Sequence, residues 1–270
     1  MARIVVTGSE GYIGTYLVRK LAASEHEILG LDVKNGEDED ICRPETISRI
    51  QEFQPEVIYN LAGVSKENST EAPKARTFEV NCWAPFRIHS AVKARFIQAS
   101  SASILSLRAG LDLPYSESKL KFEKVSRGVR PRSRIVARFG TVFGENRYGG
   151  MRWDLPFNKM VKDCVDRGEI TAPRQKLWRP WVHIDCLTTW LAGLVHSGTW
   201  DFPIPVCSFN MSLDVVAANI QKVLGQGSIV EHDSADLRNY RMPTLLQDHK
   251  SLSTEIWDLS AFAKEGQVIG

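Results

Sequence analysis

The chain has 270 residues, 43% of them hydrophobic and 24% charged, a balance that suits one globular unit or a large domain with a smaller lobe. A formal net charge of +2 argues against a dedicated nucleic-acid binder, and no apolar run approaches the roughly 20 residues needed to span a bilayer. Five widely spaced cysteines, without a Cys-x-x-Cys pair, read as buried or free thiols of a reducing cytoplasm rather than as disulfides or metal ligands.

Ile4, Val5 and Val6 form a continuous β-branched run of the kind buried in parallel sheets. It starts so early that no leader segment is expected before it. The chain then reads Thr7-Gly8-Ser9-Glu10-Gly11-Tyr12-Ile13-Gly14. The first glycine permits a tight turn, the second lets backbone approach a pyrophosphate, and the third lets the next helix pack close to the strand. Tyr12 to Ala23 carries apolar residues at Ile13, Leu17, Val18, Leu21 and Ala22, a helical stripe. Strand, glycine turn and helix together predict a dinucleotide site, with Gly8, Gly11, Tyr12, Ile13 and Gly14 around the diphosphate at the helix N-terminus.

The next strand, Glu27 to Leu31, ends in Asp32, 18 positions after Gly14 and close to the roughly 20-residue spacing of a ribose-binding carboxylate. Such a carboxylate accepts hydrogen bonds from ribose hydroxyls and repels a 2′-phosphate, so Asp32 favours NAD over NADP. Glu37 to Asp40 reads as a charged loop, from which Asp40 and Ile41 reach toward the adenine.

Strands and helices keep alternating, the signature of a doubly wound parallel sheet, an α/β fold. Ile47 to Phe53 predicts a helix, Val57 to Gly63 a buried strand opening into a small-residue loop, and Thr77 to Ala91 a helix. Arg95 to Ala99 predicts a strand that ends in Ser100-Ser101-Ala102-Ser103, and Arg134 to Arg138 another. Ligands in such sheets bind beyond the carboxyl ends of the strands.

Tyr115-Ser116-Glu117-Ser118-Lys119 puts a phenol and an ammonium four residues apart, on one helix face. Tyr16 to Lys20 has the same spacing but lies in the first helix, where it means packing and a solvated lysine. Tyr115 instead follows Pro114 at a helix start, after a serine-rich loop at a strand end. At ~4 Å and an effective dielectric near 20, unit charges interact by about 4 kcal/mol, enough to bring a tyrosine toward neutrality. A phenol so poised exchanges a proton with a hydroxyl while a nicotinamide exchanges hydride.

The chain resembles the extended short-chain dehydrogenase/reductase family, the NAD-dependent epimerase/dehydratase group. The matching pieces are TGSEGYIG at 7–14, Asp32, NLAG at 60–63, Asn81, SSAS at 100–103, YSESK at 115–119, RFGTVFG at 138–144 and RPWVHIDC at 179–186. The resemblance implies that Tyr115 is the acid/base, Lys119 its modulator and a nicotinamide-ribose ligand, and Ser101 the donor to the reacting oxygen. It also implies cofactor contacts from Leu61, Ala62, Gly63 and Asn81. Ser101 is preferred to Ser100 or Ser103 because the family's catalytic Ser or Thr precedes an aromatic by four; here Leu105 replaces that aromatic. Only 14 positions separate Ser101 from Tyr115, so the loop is trimmed. The resemblance places a homodimer interface on the helix between Asn81 and Phe96, which is short here.

The implied organisation is a dinucleotide domain over 1–145, rejoined by about 180–205, and a small substrate lobe from 146–179 and 206–270. Arg147, Arg152, Lys159, Arg174, Lys176 and Arg179 make the stretch after Gly144 basic, which suits a diphosphate. Arg179 heads the motif where the family contacts that group, and Arg147 is the second candidate. His183 and Asp185 read as structural, and no metal is expected. Trp153, Trp178, Trp181, Trp190, Trp200 and Trp257 read as core or lobe packing.

The expected activity is NAD-dependent epimerisation of a nucleotide-sugar. Ala102-Ser103 argues against a 4,6-dehydratase, whose subgroup resembles Ser-Thr-Asp-Glu here. A keto-sugar reductase or dehydrogenase is the nearest rival, with a non-catalytic dinucleotide-binding protein of the same fold as the rival from another class. A serine hydrolase is set aside, as no Gly-x-Ser-x-Gly occurs.

Overall fold

A computed structural model describes residues 1–65, 71–109, 113–129, 134–198, 202–236, 238–248 and 250–268. Trp200 and positions 110–112 of the trimmed loop lie outside the described residues. In chain order the elements begin with β1 (Arg3–Thr7), α1 (Tyr12–Ala22), β2 (Glu27–Leu31), α2 (Pro44–Phe53), β3 (Val57–Asn60) and α3 (Glu71–Phe78). A π-helical turn, Glu79–Trp83, joins α3 to α4 (Ala84–Ala91). Then come β4 (Arg95–Ser101), α5 (Pro114–Val125), β5 (Arg134–Phe139), β6 (Thr141–Phe143), α6 (Pro156–Arg167), β7 (Glu169–Pro173) and β8 (Trp178–His183). The chain continues through α7 (Ile184–Gly193), β9 (Ile204–Val206), β10 (Phe209–Ser212), α8 (Leu213–Leu224), β11 (Ser228–His232) and α9 (Leu252–Val268).

The expected parallel sheet is present. Its order is β2-β1-β3-β4-β5-β9, and the pairings from β2 through β5 are parallel. Ile4, Val5, Val6, Val57, Ile58 and Tyr59 are buried, as strands covered on both faces require. The helix expected from Ile47 starts earlier, because Pro44 at the first helical position pre-sets the backbone. The helix expected over 77–91 is interrupted by the π turn at 79–83.

The chain divides into two compact units. The first comprises Met1–Phe139, Tyr148–Gly150 and Thr188–Ile204; the second comprises Gly140–Arg147, Met151–Leu187 and Pro205–Gly270. The first cut thus falls at Phe139 rather than at 145, and the chain rejoins the first unit at Thr188. In the first unit, Val5, Leu31, Ile58, Phe96, Phe122 and Val136 pack into one core. Tyr59 Oη donates to Leu191 O at 2.7 Å, which pins α7 under the sheet.

The second unit holds a three-stranded sheet, β10-β8-β6, and a parallel pair, β11-β7. Trp181, Phe143 and Phe157 centre its core with residues of α6, α8 and α9. Trp153 stacks on Phe262, with centroids 5.9 Å apart. Trp257 departs from the packing expectation: it lies on the outer face of α9 and is half-exposed.

Candidate active site

The glycine turn is built as its sequence demands. Gly8 has φ +73°, and a Cβ there would lie 2.7 Å from Ala62 N. A Cβ on Gly14 would lie 2.0 Å from Gly8 O, so only glycine lets α1 seat against the turn. Gly11 is the N-cap of α1 and no side chain caps the helix. Amide groups around Tyr12, Ile13 and Gly14 therefore present the helix N-terminus to an anion. The cradle fits a dinucleotide diphosphate.

Asp32 stands just beyond β2, almost buried, with Oδ2 accepting Glu10 N–H and Oδ1 accepting Lys34 N–H, each at 3.0 Å. Its carboxylate is thus oriented by backbone rather than by a cation. The acidic run after it divides in two. Glu37 is 90% exposed, as a solvated loop should be, but the Glu39 side chain is only 12% exposed and its carboxylate accepts Asp32 N–H at 2.9 Å. Asp40 accepts from Cys42 N at 3.0 Å and Arg76 at 2.7 Å, while Ile41 is buried. Burial pushes Asp40 up, but those two hydrogen bonds outweigh it and hold the carboxyl below its usual range.

A polar ladder crosses three strands, from the carboxyl ends of β1 and β3 to the middle of β4: Thr7 Oγ1 donates to Asn60 Oδ1 at 2.8 Å, and Asn60 Nδ2 donates to Gln98 Oε1 at 3.0 Å. Leu61 N–H donates to Thr7 O at 3.1 Å, which turns Leu61, Ala62 and Gly63 beside the glycine loop. Asn81 lies on the π turn, where widened backbone aims its amide across at Val64. It donates to Val64 O and accepts Val64 N–H, both at 2.9 Å, and reaches Ser118 Oγ at 3.2 Å.

The structure separates the serines. Ser100 Oγ points behind β4, donating to Glu123 at 2.6 Å in a pair that Arg138 completes. Ser101 Oγ faces the other way, accepting Ser103 N–H at 3.2 Å and standing 2.9 Å from Ser103 Oγ, which meets Ser116 Oγ at 2.7 Å. α5 opens with Pro114 and carries Tyr115, half-buried, and Lys119, 3% exposed. Lys119 Nζ donates to Ala99 O at 2.9 Å and lies 6.0 Å from the Tyr115 ring centroid. A Cβ on Gly63 would lie 3.0 Å from Asn81 Oδ1 and 3.4 Å from Lys119 Nζ, so the loop after β3, the π turn and α5 meet at one point. Burial pushes the Lys119 ammonium down to about 8.

The two arginines belong to the second unit. Arg147 is half-exposed, donates to Glu265 at 2.7 Å, and lies 3.3 Å from Glu145. Arg179 is 4% exposed; it donates to Trp178 O at 2.9 Å and Asp236 Oδ2 at 3.1 Å, contacts Arg238 O, and stacks over Tyr240. These bonds engage both terminal nitrogens of the guanidinium. Sequence reasoning did not find Glu39, whose bond is to the backbone of Asp32, nor Glu123 and Asp236, whose partners Ser100 and Arg179 are distant in sequence.

Cys82, Cys164, Cys186 and Cys207 are buried thiols, pushed up by desolvation, and none of the five cysteines is paired. Among the described residues no group of His, Cys, Asp and Glu has the makings of a metal site, and no helix is long and apolar enough to cross a membrane.

Among curated proteins no match to the sequence is found. Solved structures share the fold at low identity. A dTDP-glucose 4,6-dehydratase from Bacillus anthracis, in complex with NAD, has a TM-score of 0.80 at 16% identity, covering 99% of this chain and 98% of that one. A UDP-glucuronic acid 4-epimerase from Bacillus cereus, with UDP-glucuronic acid and NAD, gives 0.78 at 18%, covering 97% and 99%. RMD from Pseudomonas aeruginosa, complexed with NADPH, gives 0.75 at 17%, covering 98% and 100%. One fold therefore houses a dehydratase, an epimerase and both dinucleotides, and the residues must decide among them. Residues 4–189, more than half of the sequence, match the NAD dependent epimerase/dehydratase family, and the chain belongs to it.

Proposed function

We propose that this chain is an NAD-dependent nucleotide-sugar epimerase in which Tyr115 is the proton-transfer group. The observation that supports this best is the buried Lys119 ammonium, one turn from Tyr115 and against Asn81 and Gly63. A cation held there without solvent favours the phenolate over the phenol, which suits Tyr115 to take the proton of a sugar hydroxyl. Ser101 supplies the hydrogen bond to the reacting oxygen. Its Oγ accepts the Ser103 N–H, and with Ser103 Oγ as the donor in the hydroxyl pair its own proton is left to be donated. Held by the glycine turn, Asp32 and Asn81, NAD would supply the acceptor and then the donor of the hydride at the sugar carbon, while Tyr115 holds the hydroxyl proton and the other face of the carbon is presented for the return. Tyr115 then gives the proton back, and the net change is inversion of one centre.

Dehydration needs an acid and a base beside the sugar. Ala102 and Ser103 carry no carboxyl, and both are buried with the Ser103 hydroxyl engaged by Ser116. The glycine cradle, Asp32, Leu61 to Gly63 and Asn81 are the proposed cofactor contacts, with Asp40 and Ile41 toward the adenine. Arg147 and Arg179 are the proposed contacts to the substrate diphosphate.

The test uses UDP-glucose, UDP-glucuronic acid and dTDP-glucose, each deuterated at C4, with the protein and NAD. An epimerase should invert one of them, keep the label on that carbon and accumulate no NADH. NADH formed in step with product would establish the dehydrogenase reading, and no conversion of any of the three overturns the proposal for these sugars.

A further inference from the structure

The acid that shapes the turn after β2 sits seven residues beyond Asp32. Glu39 closes the one-turn 3₁₀ segment Glu37–Glu39. Its Oε2 accepts Asp32 N–H and Asn35 Nδ2–H, both at 2.9 Å, and its Oε1 accepts from Arg49 at 3.2 Å. Burial raises its carboxyl, but the Asp32 amide, Asn35 and Arg49 together outweigh burial and hold it below the usual carboxylate range. It is therefore an anion at neutral pH. Asp32, for its part, spends both carboxylate oxygens on the amides of Glu10 and Lys34. The turn thus carries two fixed carboxylates, one bonded to the glycine loop and one bonded to the backbone that carries the first.

We propose that Glu39 is a specificity-determining residue for the dinucleotide: it locks the Asp32 backbone so that the Asp32 carboxylate faces the adenosine ribose, and it adds a second fixed negative charge against a 2′-phosphate. This inference rests on the reading of Asp32 as the ribose-binding acid. Two opposing charges temper it. Arg49 pairs with Glu39 and offsets part of its charge. Lys34, whose ammonium donates to Glu10 O at 2.7 Å, is the cation that works toward a phosphate. Asp32, Glu37, Asp38, Glu39 and Asp40 set five carboxylates against the four cations Lys34, Arg43, Arg49 and Arg76, so the turn keeps a small negative balance, and a 2′-phosphate entering it meets repulsion from the acids.

The test is titration of the whole protein with NAD and with NADP by calorimetry, in wild type and three variants, at one low salt concentration. The readout is the ratio of the two dissociation constants. Asp32→Asn should lower the NADP-to-NAD ratio most. Glu39→Gln keeps an oxygen for the Asp32 amide while removing the charge, and it should lower the ratio by about threefold or more. Arg49→Gln leaves Glu39 without its cation and should raise the ratio. An unchanged ratio in Glu39→Gln, with a lowered one in Asp32→Asn, overturns the role of Glu39 and leaves Asp32 standing. No change in Asp32→Asn overturns the ribose reading itself, and this inference with it. Should Glu39→Gln fail to fold, Arg49→Gln decides alone: a ratio that does not rise is fatal to the proposal.

Discussion

Helices α1 and α5 carry the same Tyr-x-x-x-Lys spacing, Tyr16 with Lys20 and Tyr115 with Lys119. In both, the ammonium lies over its own tyrosine ring, at 5.5 Å in the first and 6.0 Å in the second. The surroundings differ. Lys20 is half-buried and donates to Thr189 Oγ1 at 2.9 Å, and Tyr16 meets the edge of Tyr148 with centroids 5.1 Å apart. Lys119 is buried, donates to the Ala99 carbonyl of β4 and lies against the loop after β3. Helix spacing puts the two groups on one face, but burial decides whether the charge reaches the phenol at full strength. In the proposed site α1 contributes its N-terminal backbone amides and α5 its side chains.

The largest effect should separate the two tyrosines. Tyr115→Phe should lower turnover of an active nucleotide-sugar by at least about 10²-fold while NAD affinity holds, and Tyr16→Phe should stay within about twofold of wild type. Steady-state rates on one substrate, with NAD titration as the folding control, check both; equal losses would erase the distinction between the helices.

The lysines should differ in their linkage to pH. Burial lowers Lys119 to about 8 in the folded chain from the ordinary lysine value of about 10.5. Between those values the unfolded chain binds a proton that the folded chain has released, so stability rises with pH from about 8 to about 10.5. Below 8 both forms are protonated and this group contributes no slope. The rise amounts to at most about 3 kcal/mol. Urea midpoints from pH 7.5 to 10.5 should show it in wild type and in Lys20→Met but not in Lys119→Met. A rise that survives Lys119→Met would assign the titration to another group.

The smallest effect concerns the backbone role of α1. Gly14→Ala places a methyl against Gly8 O, and overpacking of this kind costs about 1–3 kcal/mol. NAD affinity should fall about tenfold, measured by calorimetry at a temperature where the variant is folded. Undiminished affinity would detach the glycine turn from the dinucleotide.

These contrasts also mark where the sequence is readable. Ile4 to Val6 and the glycines at 8, 11 and 14 are local signals: a continuous apolar run and fixed spacings whose physical meaning lies within eleven residues. Tyr115 and Lys119 are local too, once position distinguishes them from Tyr16 and Lys20. Glu39 was hidden inside an acidic run, because its role is a bond to the backbone of Asp32 that no residue pattern records. Arg179 was legible as a motif but not as a buried cation, since its partner Asp236 is 57 positions away. The π turn at Asn81 follows from no helix propensity; it shows only when the amide is seen to span both backbone groups of Val64.

The position of β9 beside β5 has a consequence for synthesis. β5 ends at Phe139 and β9 begins at Ile204, so about 65 residues must leave the ribosome before the sheet receives its last strand. At roughly 5–20 residues per second that is an interval of about 3–13 seconds. For that time the nascent chain carries β5 as an open edge, with Ile135, Val136 and Ala137 available to any strand that passes. A cell making this protein quickly at high temperature would meet its aggregation hazard there, before any substrate is bound, and slow translation between 140 and 204 would lengthen the exposure.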